Sequence, residues 1–176
     1  MKNLKTTLYA LLLVFPLWGL GGCKNDDDNP TNPIDQLPPL TQTGENTFGC
    51  LVNGKPLSFT KSSQLTAIFQ QGQLQFGANS EQNGISNSFN LNIIDPLEEN
   101  IKYFLGDNFY NVGYSLITDV SSCIYEFDDA INGEITFSKI DRVNYIVAGK
   151  FEFSTVTNNC EIVNITEGRF DLKYIP

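Results

Sequence analysis

From residue 47 onward apolar and polar side chains alternate with a period of two, in short runs divided by turn residues. Phe48-Gly49-Cys50-Leu51-Val52 leads through Asn53-Gly54 into Lys55-Pro56-Leu57-Ser58-Phe59, and Asn-Gly between two β-type runs predicts a hairpin. Residues 65–69 and 73–77, joined by Gln70-Gln71-Gly72, repeat the pattern. Phe89, Leu91 and Ile93 fall on one face of a strand, with Asn90 and Asn92 on the other. Further strands are expected over 113–118 and 123–127.

The C-terminal third reads most cleanly. Residues 133–140, a turn at 141–144 and residues 145–156 predict a long hairpin. In its second arm Tyr145, Val147, Gly149, Phe151 and Phe153 share one face, and Lys150, Glu152 and Ser154 the other. A last strand spans 161–175 and changes phase at Gly168: Val163 and Ile165 face inward before it, Phe170, Leu172 and Tyr174 after it. A one-residue slip at a glycine predicts a β-bulge. Residues 97–105 have two readings. Pro96 at a first helical position, with Glu98 and Glu99 in the first turn, fits one helical turn, and a loop entering a strand at 101–105 fits equally. No run of ten residues has helical periodicity. The expectation is an all-β antiparallel domain over 47–176, a β-sandwich or flattened β-barrel of about nine or ten strands with at most one short helical turn.

The chain before residue 47 has a different texture. Lys2 and Lys5 precede an apolar run at 8–15, too short to span a bilayer, and Pro16 and three glycines follow it. Residues 1–22 are therefore read as a signal peptide. Leu20-Gly21-Gly22-Cys23 resembles the lipobox of bacterial lipoproteins. That resemblance implies a thioether-linked diacylglycerol on Cys23, which becomes the new N-terminus, and two or more acyl chains anchor stably. Lys24-Asn25-Asp26-Asp27-Asp28 reads either as the solvated start of a linker or as the acidic tag seen behind the lipidated cysteine of surface-displayed Bacteroidetes lipoproteins. The expected location is the bacterial outer membrane, lipid-anchored. Residues 23–46, rich in Pro, Asn, Asp and Thr, are too poor in apolar side chains to fold and are expected to form an extended or disordered tether.

Charge and composition narrow the function. The formal net charge is −9, and loss of Lys2 and Lys5 with the signal leaves 9 basic against 20 acidic side chains, a formal −11. Such a chain repels nucleic acid, so no nucleic-acid partner is expected. There is no histidine. That excludes Ser-His-Asp and Cys-His nucleophiles and His-ligated zinc or iron, and neither a cofactor nor a metal is expected.

With Cys23 lipidated, Cys50, Cys123 and Cys160 remain, and an oxidising envelope favours one disulfide and one thiol. Cys160, in an Asn-Asn loop, is expected to pair with Cys50, tying the first strand to the last; Cys123–Cys160 is the alternative. A hydrolase would have to draw two carboxylates from Glu126, Asp128, Asp129, Glu134, Glu152, Glu167 and Asp171. Glu126, Glu134 and Glu152 fall on outward faces, and Arg169 is expected to form a cross-strand ion pair with Asp171 or Glu152. Tyr103, Phe104, Phe109 and Tyr110 alternate poorly and are candidate ligand-contacting aromatics, with packing under a long loop as the other reading.

Three stretches carry a further resemblance. Leu37-Pro38-Pro39-Leu40-Thr41-Gln42-Thr43-Gly44-Glu45-Asn46-Thr47-Phe48-Gly49-Cys50-Leu51-Val52-Asn53-Gly54 opens the domain. Gly149-Lys150-Phe151-Glu152-Phe153 and Thr166-Glu167-Gly168-Arg169-Phe170-Asp171 close it. Together they resemble a family of Bacteroidetes lipoproteins, which implies the location and a β fold but no activity. The functional expectation is an envelope-anchored, non-catalytic binding or structural domain that engages the membrane through Cys23 and a glycan or envelope protein through its fold. A carrier of a small apolar ligand and a carboxylate-based hydrolase are the alternatives.

Overall fold

The computed structural model describes residues 32–106 and 109–176. The signal peptide, Cys23, the acidic stretch and the first part of the expected tether lie outside the described residues. Eleven strands form two antiparallel sheets: β1 (Thr47–Val52), β2 (Lys55–Phe59), β3 (Leu65–Gln70), β4 (Gln73–Gln82), β5 (Ile85–Ile94), β6 (Lys102–Phe104), β7 (Tyr110–Ile117), β8 (Ser122–Tyr125), β9 (Ala130–Asp141), β10 (Ile146–Thr155) and β11 (Val163–Lys173). One sheet runs β2-β1-β11-β10-β9-β6 and the other β3-β4-β5-β7-β8. Neither closes on itself, so the fold is a β-sandwich rather than a barrel. The additional strand is the short β6, which settles 97–105 as a loop entering a strand. No helical turn begins at Pro96; single 3-10 turns occur instead at Pro33–Gln36, Ser62–Gln64 and Phe127–Asp129, three where at most one was expected.

The alternation read from the sequence is the burial observed. Phe89, Leu91 and Ile93 are buried, as are Val147, Phe151, Phe153, Val163, Ile165, Phe170, Leu172 and Tyr174. Tyr145 is the exception: it is half exposed with a left-handed φ of 57° and ends the hairpin turn, packing edge-on against Tyr174 at 5.7 Å. Phenylalanines fill the space between the sheets. Phe48 lies 5.8 Å from Phe59, 5.4 Å from Phe89 and 5.1 Å from Phe151, and Phe170 touches Phe76, Phe137 and Phe151. Each such contact adds to the area buried, which is the main favourable term of the fold.

Turn chemistry sets the registers. Asn53-Gly54, Gln71-Gly72 and Asn83-Gly84 all have two successive positive φ angles, the geometry of tight two-residue hairpins. The bulge in β11 also forms. Glu152 of β10 faces both Thr166 and Glu167, and the residue in the left-handed region is Glu167 (φ 53°), beside the glycine. Gly168 is needed for a different reason: a Cβ there would lie 2.8 Å from the Phe151 ring carbons.

The second half of the expected tether is part of the domain. Leu37 is buried, Pro38 covers Gly49 so closely that a Cβ on the glycine would collide with it, and residues 41–45 are bonded to β11. Composition pointed to disorder because the segment has few apolar groups of its own. Its anchors are hydrogen bonds to a residue 126 to 130 positions later in the chain.

Candidate functional site

The outer face of the six-stranded sheet carries the sequence-predicted charges, and residues 37–45 cross part of it as a strap. The strap is held by Asp171. The Thr41 hydroxyl donates to its Oδ2 at 2.6 Å, and the amides of Thr43, Gly44 and Glu45 donate to its two oxygens at 3.0, 2.7 and 3.2 Å. Asp171 is 1% exposed. A buried carboxylate is tolerated only when its lone pairs are met in this way. Arg169 is held by the same strap, its Nη1 donating to the Pro38 carbonyl at 3.4 Å, while Nη2 meets Glu167 at 3.2 Å. The expected pairing of Arg169 with Asp171 or Glu152 is thus replaced. Asp171 is occupied by the strap, and the bulge turns Glu167 back toward the guanidinium.

Beside the strap lies an open groove of about 350 Å³, floored by Glu134, Thr136, Lys150, Glu152, Glu167 and Arg169. Strand register explains its composition. Lys150 stands opposite Thr136 on one side and Arg169 on the other, and Lys102 also faces Thr136, giving a row rich in cations. In the next row Phe104, Glu134 and Glu152 are neighbours. Like charges directly opposite one another are unfavourable, and Lys102 offsets this by meeting Glu134 at 2.7 Å. Glu126, Glu134 and Glu152 do face outward, and Glu134, Glu152 and Glu167 share this groove.

The four candidate aromatics do not converge. Tyr103 turns inward, 5.0 Å from Tyr110 and 6.3 Å from Phe137, and its hydroxyl accepts the Glu98 amide at 2.7 Å. These two tyrosines close one end of the sandwich, which is the packing reading. Phe104, the next residue along β6, points the other way. It is 68% exposed and walls a second depression that shares Glu134 and Glu152 with the groove. Phe109 is exposed elsewhere.

The disulfide is Cys123–Cys160, with Cα atoms 5.9 Å apart, and Cys50 is a buried free thiol. This corrects the favoured Cys50–Cys160 pairing and selects its alternative. On β1, Cys50 lies level with Glu167 and Gly168, about seven residues, or roughly 23 Å of strand, beyond Cys160. Cys123 instead faces the interior from the edge strand β8, and the bridge joins the two sheets there. Close by, the Tyr125 hydroxyl donates to the Glu161 carbonyl at 2.8 Å, a second tie across the same end. Burial pushes the Cys50 thiol up to about 12, and burial likewise raises Tyr114, whose hydroxyl donates to Asn87 at 2.8 Å.

Sequence reasoning named Asp171 as a candidate carboxylate and ion-pair partner and missed its role as the anchor of the strap. Its outward position was readable, since Phe170 and Leu172 on either side face inward, but what covers it was not. Among the described residues no cluster of three metal-ligating side chains is present, and no helix is long and apolar enough to cross a membrane. Comparison of the chain with protein-family models, with curated proteins and with solved structures gave no match.

Proposed function

We propose that the protein is a lipoprotein of the bacterial outer membrane, anchored through acyl chains on Cys23, whose β-sandwich is a non-catalytic binding module for a glycan or a partner envelope protein. The observation that carries the reading is the filled interior. A carrier needs space between its sheets, and here that space holds the chain of phenylalanine rings from Phe59 through Phe48 and Phe151 to Phe170 and Phe76. The surfaces offered to a ligand are therefore the outer faces, where grooves of ligand size lie. The signal-like leader, the lipobox-like Leu20-Gly21-Gly22-Cys23 and the acidic chain support the location.

Two experiments test this. Cys23→Ala should leave the membrane fraction while unfolding at the wild-type temperature; a variant still bound to membranes removes the lipid anchor from the reading. The intact protein, cross-linked in its own envelope and probed on a glycan array, should yield a ligand. If neither gives one, the binding module falls.

Glu134 and Glu152, directly opposite across β9 and β10 in one groove, favour a second reading, a carboxylate-based hydrolase. Hydrolysis of glycosides by the wild type, lost in Glu152→Gln, would put that reading first.

A further inference from the structure

The outer face of the five-stranded sheet is chemically unlike that of its partner. Of the outward-facing positions of β3, β4, β5, β7 and β8, only Glu81 is ionisable, and it sits near the tip of the β4–β5 hairpin. Protein surfaces are ordinarily about a quarter to a third charged. In a chain of net charge −9, a sheet face whose centre is amides, hydroxyls and glycine, with Ile68, Ile94, Ile117 and Ile124 at its margins, is a specific composition.

Register gives that face a shape. Thr66, Gly77, Asn90 and Gly113 are successive partners across four strands. Two members of the row have no side chain, so it forms a trough with Asn90 at its middle. Gln75, Asn92 and Asn111 make one bank, and Asn79, Ser88 and Ser115 the other. Two depressions, of about 300 and about 160 Å³, lie along the trough and share Ser88 and Asn90, and the carboxylate of Glu126, just past the end of β8, lines the smaller one. At the β8 end the Phe127 ring comes close to Gly113, 3.4 Å from where a Cβ would lie. On the first bank, the side-chain oxygen of Asn92 is buried without a hydrogen-bond partner, an acceptor this face leaves unmet.

We infer that this trough binds a neutral glycan, an extended chain of uncharged, hydroxyl-bearing sugars. Each sugar hydroxyl both donates and accepts, and the carboxamides and hydroxyls lining the trough do the same. No cation on the face would hold a uronate, sulfate or phosphate, and the net negative charge repels acidic polymers. Phe127 gives the trough an apolar end against which a sugar face can pack. A peptide is a poorer occupant, because extended peptides add to the edges of sheets, where main-chain groups are unpaired, and not to their faces. The inference rests on the reading of the domain as a binding module and names the face and the ligand class.

The test uses the purified full chain on an array of neutral glucans, mannans and xylans beside polyuronates and sulfated glycans, followed by calorimetry with oligosaccharides of the best neutral hit. Neutral glycans should bind. Asn90→Ala should lower affinity at least tenfold, and Asn79→Arg, at an exposed position on the bank, should do so by obstruction. Lys55→Gln, on the edge strand β2 of the opposite sheet and away from both grooves, should leave affinity unchanged, and all three variants should unfold at the wild-type temperature. Binding of acidic glycans alone, or binding lost in Lys55→Gln and kept in Asn90→Ala and Asn79→Arg, overturns the inference. So does the absence of any glycan binding: an envelope protein cross-linked to the chain would then keep the binding module and remove only the trough, whereas finding no partner would remove both.

Discussion

Asp171, in the last strand, and Gly44, in the segment that enters the domain, are joined by a 2.7 Å hydrogen bond from the Gly44 amide to a buried carboxylate oxygen. The two belong to the stretches 37–54 and 166–171, one at each end of the domain. Pro38 meets Arg169, Thr41 and Thr43 meet Asp171, and the Asn46 side chain accepts the Lys173 amide at 3.0 Å. The two stretches are the halves of one clasp.

Asp171→Asn should open that clasp. An amide nitrogen would face donors it cannot accept from, and hydrogen bonds to a charged group contribute about 1.5–3 kcal/mol each. A loss of roughly 2–4 kcal/mol in denaturant unfolding is expected. Fast hydrogen exchange at Thr43, Gly44 and Glu45, with β10 still protected, would show that the strap releases while the sandwich stays folded.

The cysteines should behave oppositely. The Cys123–Cys160 bridge closes a loop of 37 residues, and chain entropy assigns such a crosslink roughly 3–4 kcal/mol. Cys160→Ser should lower stability by about that amount. Cys50, buried with its thiol pushed up to about 12 by desolvation, should resist alkylation at pH 8 in the native protein and react on unfolding. Labelling of Cys50 in the native state would contradict its place in the core.

Acid should act on the β9–β10 turn. Asp141 accepts the Asn144 side chain at 2.9 Å and the amides of Asn144 and Val143 at 2.8 and 3.0 Å. These bonds, the Asn144 side chain first, lower its pKa from 3.8 to about 2. A carboxyl whose pKa is lower folded than unfolded stabilises the fold fully above the unfolded value, and that contribution is lost as pH falls through the folded one. The stability difference between wild type and Asp141→Asn should therefore be constant above pH ~5 and shrink between about pH 4 and 2. Denaturant midpoints measured across that range check this.

Gly149→Ala addresses the closing motif Gly-x-Phe-x-Phe. A Cβ there would collide with the Thr136 carbonyl oxygen of β9 and lie 2.8 Å from Cζ of Phe170, in a core already filled. Overpacking of this kind costs about 1–3 kcal/mol, so a lowered unfolding midpoint is expected with the β-sheet signal intact.

Period-two alternation determined the strands and the core, because the residues whose face was read, Phe89 and Phe170 among them and Tyr145 in its turn excepted, lie in elements whose sides differ in solvent access. Asn53-Gly54 determined its hairpin because few dipeptides tolerate two positive φ angles. The phase change near Gly168 announced the bulge, though the backbone strain fell on Glu167. The absent histidine narrowed the chemistry without any coordinates. Only the tertiary structure decided the rest, since each of these features depends on which distant segments meet. Cys160 finds Cys123 because β8 ends beside the loop before β11. Residues 37–45 are ordered because Asp171 accepts their hydrogen bonds. Tyr103 and Phe104, adjacent in sequence, part company because β6 has one face in the core and the other toward the groove. Glu134 and Glu152, and likewise Gly77, Asn90 and Gly113, become neighbours only through register, which a single strand's pattern does not contain.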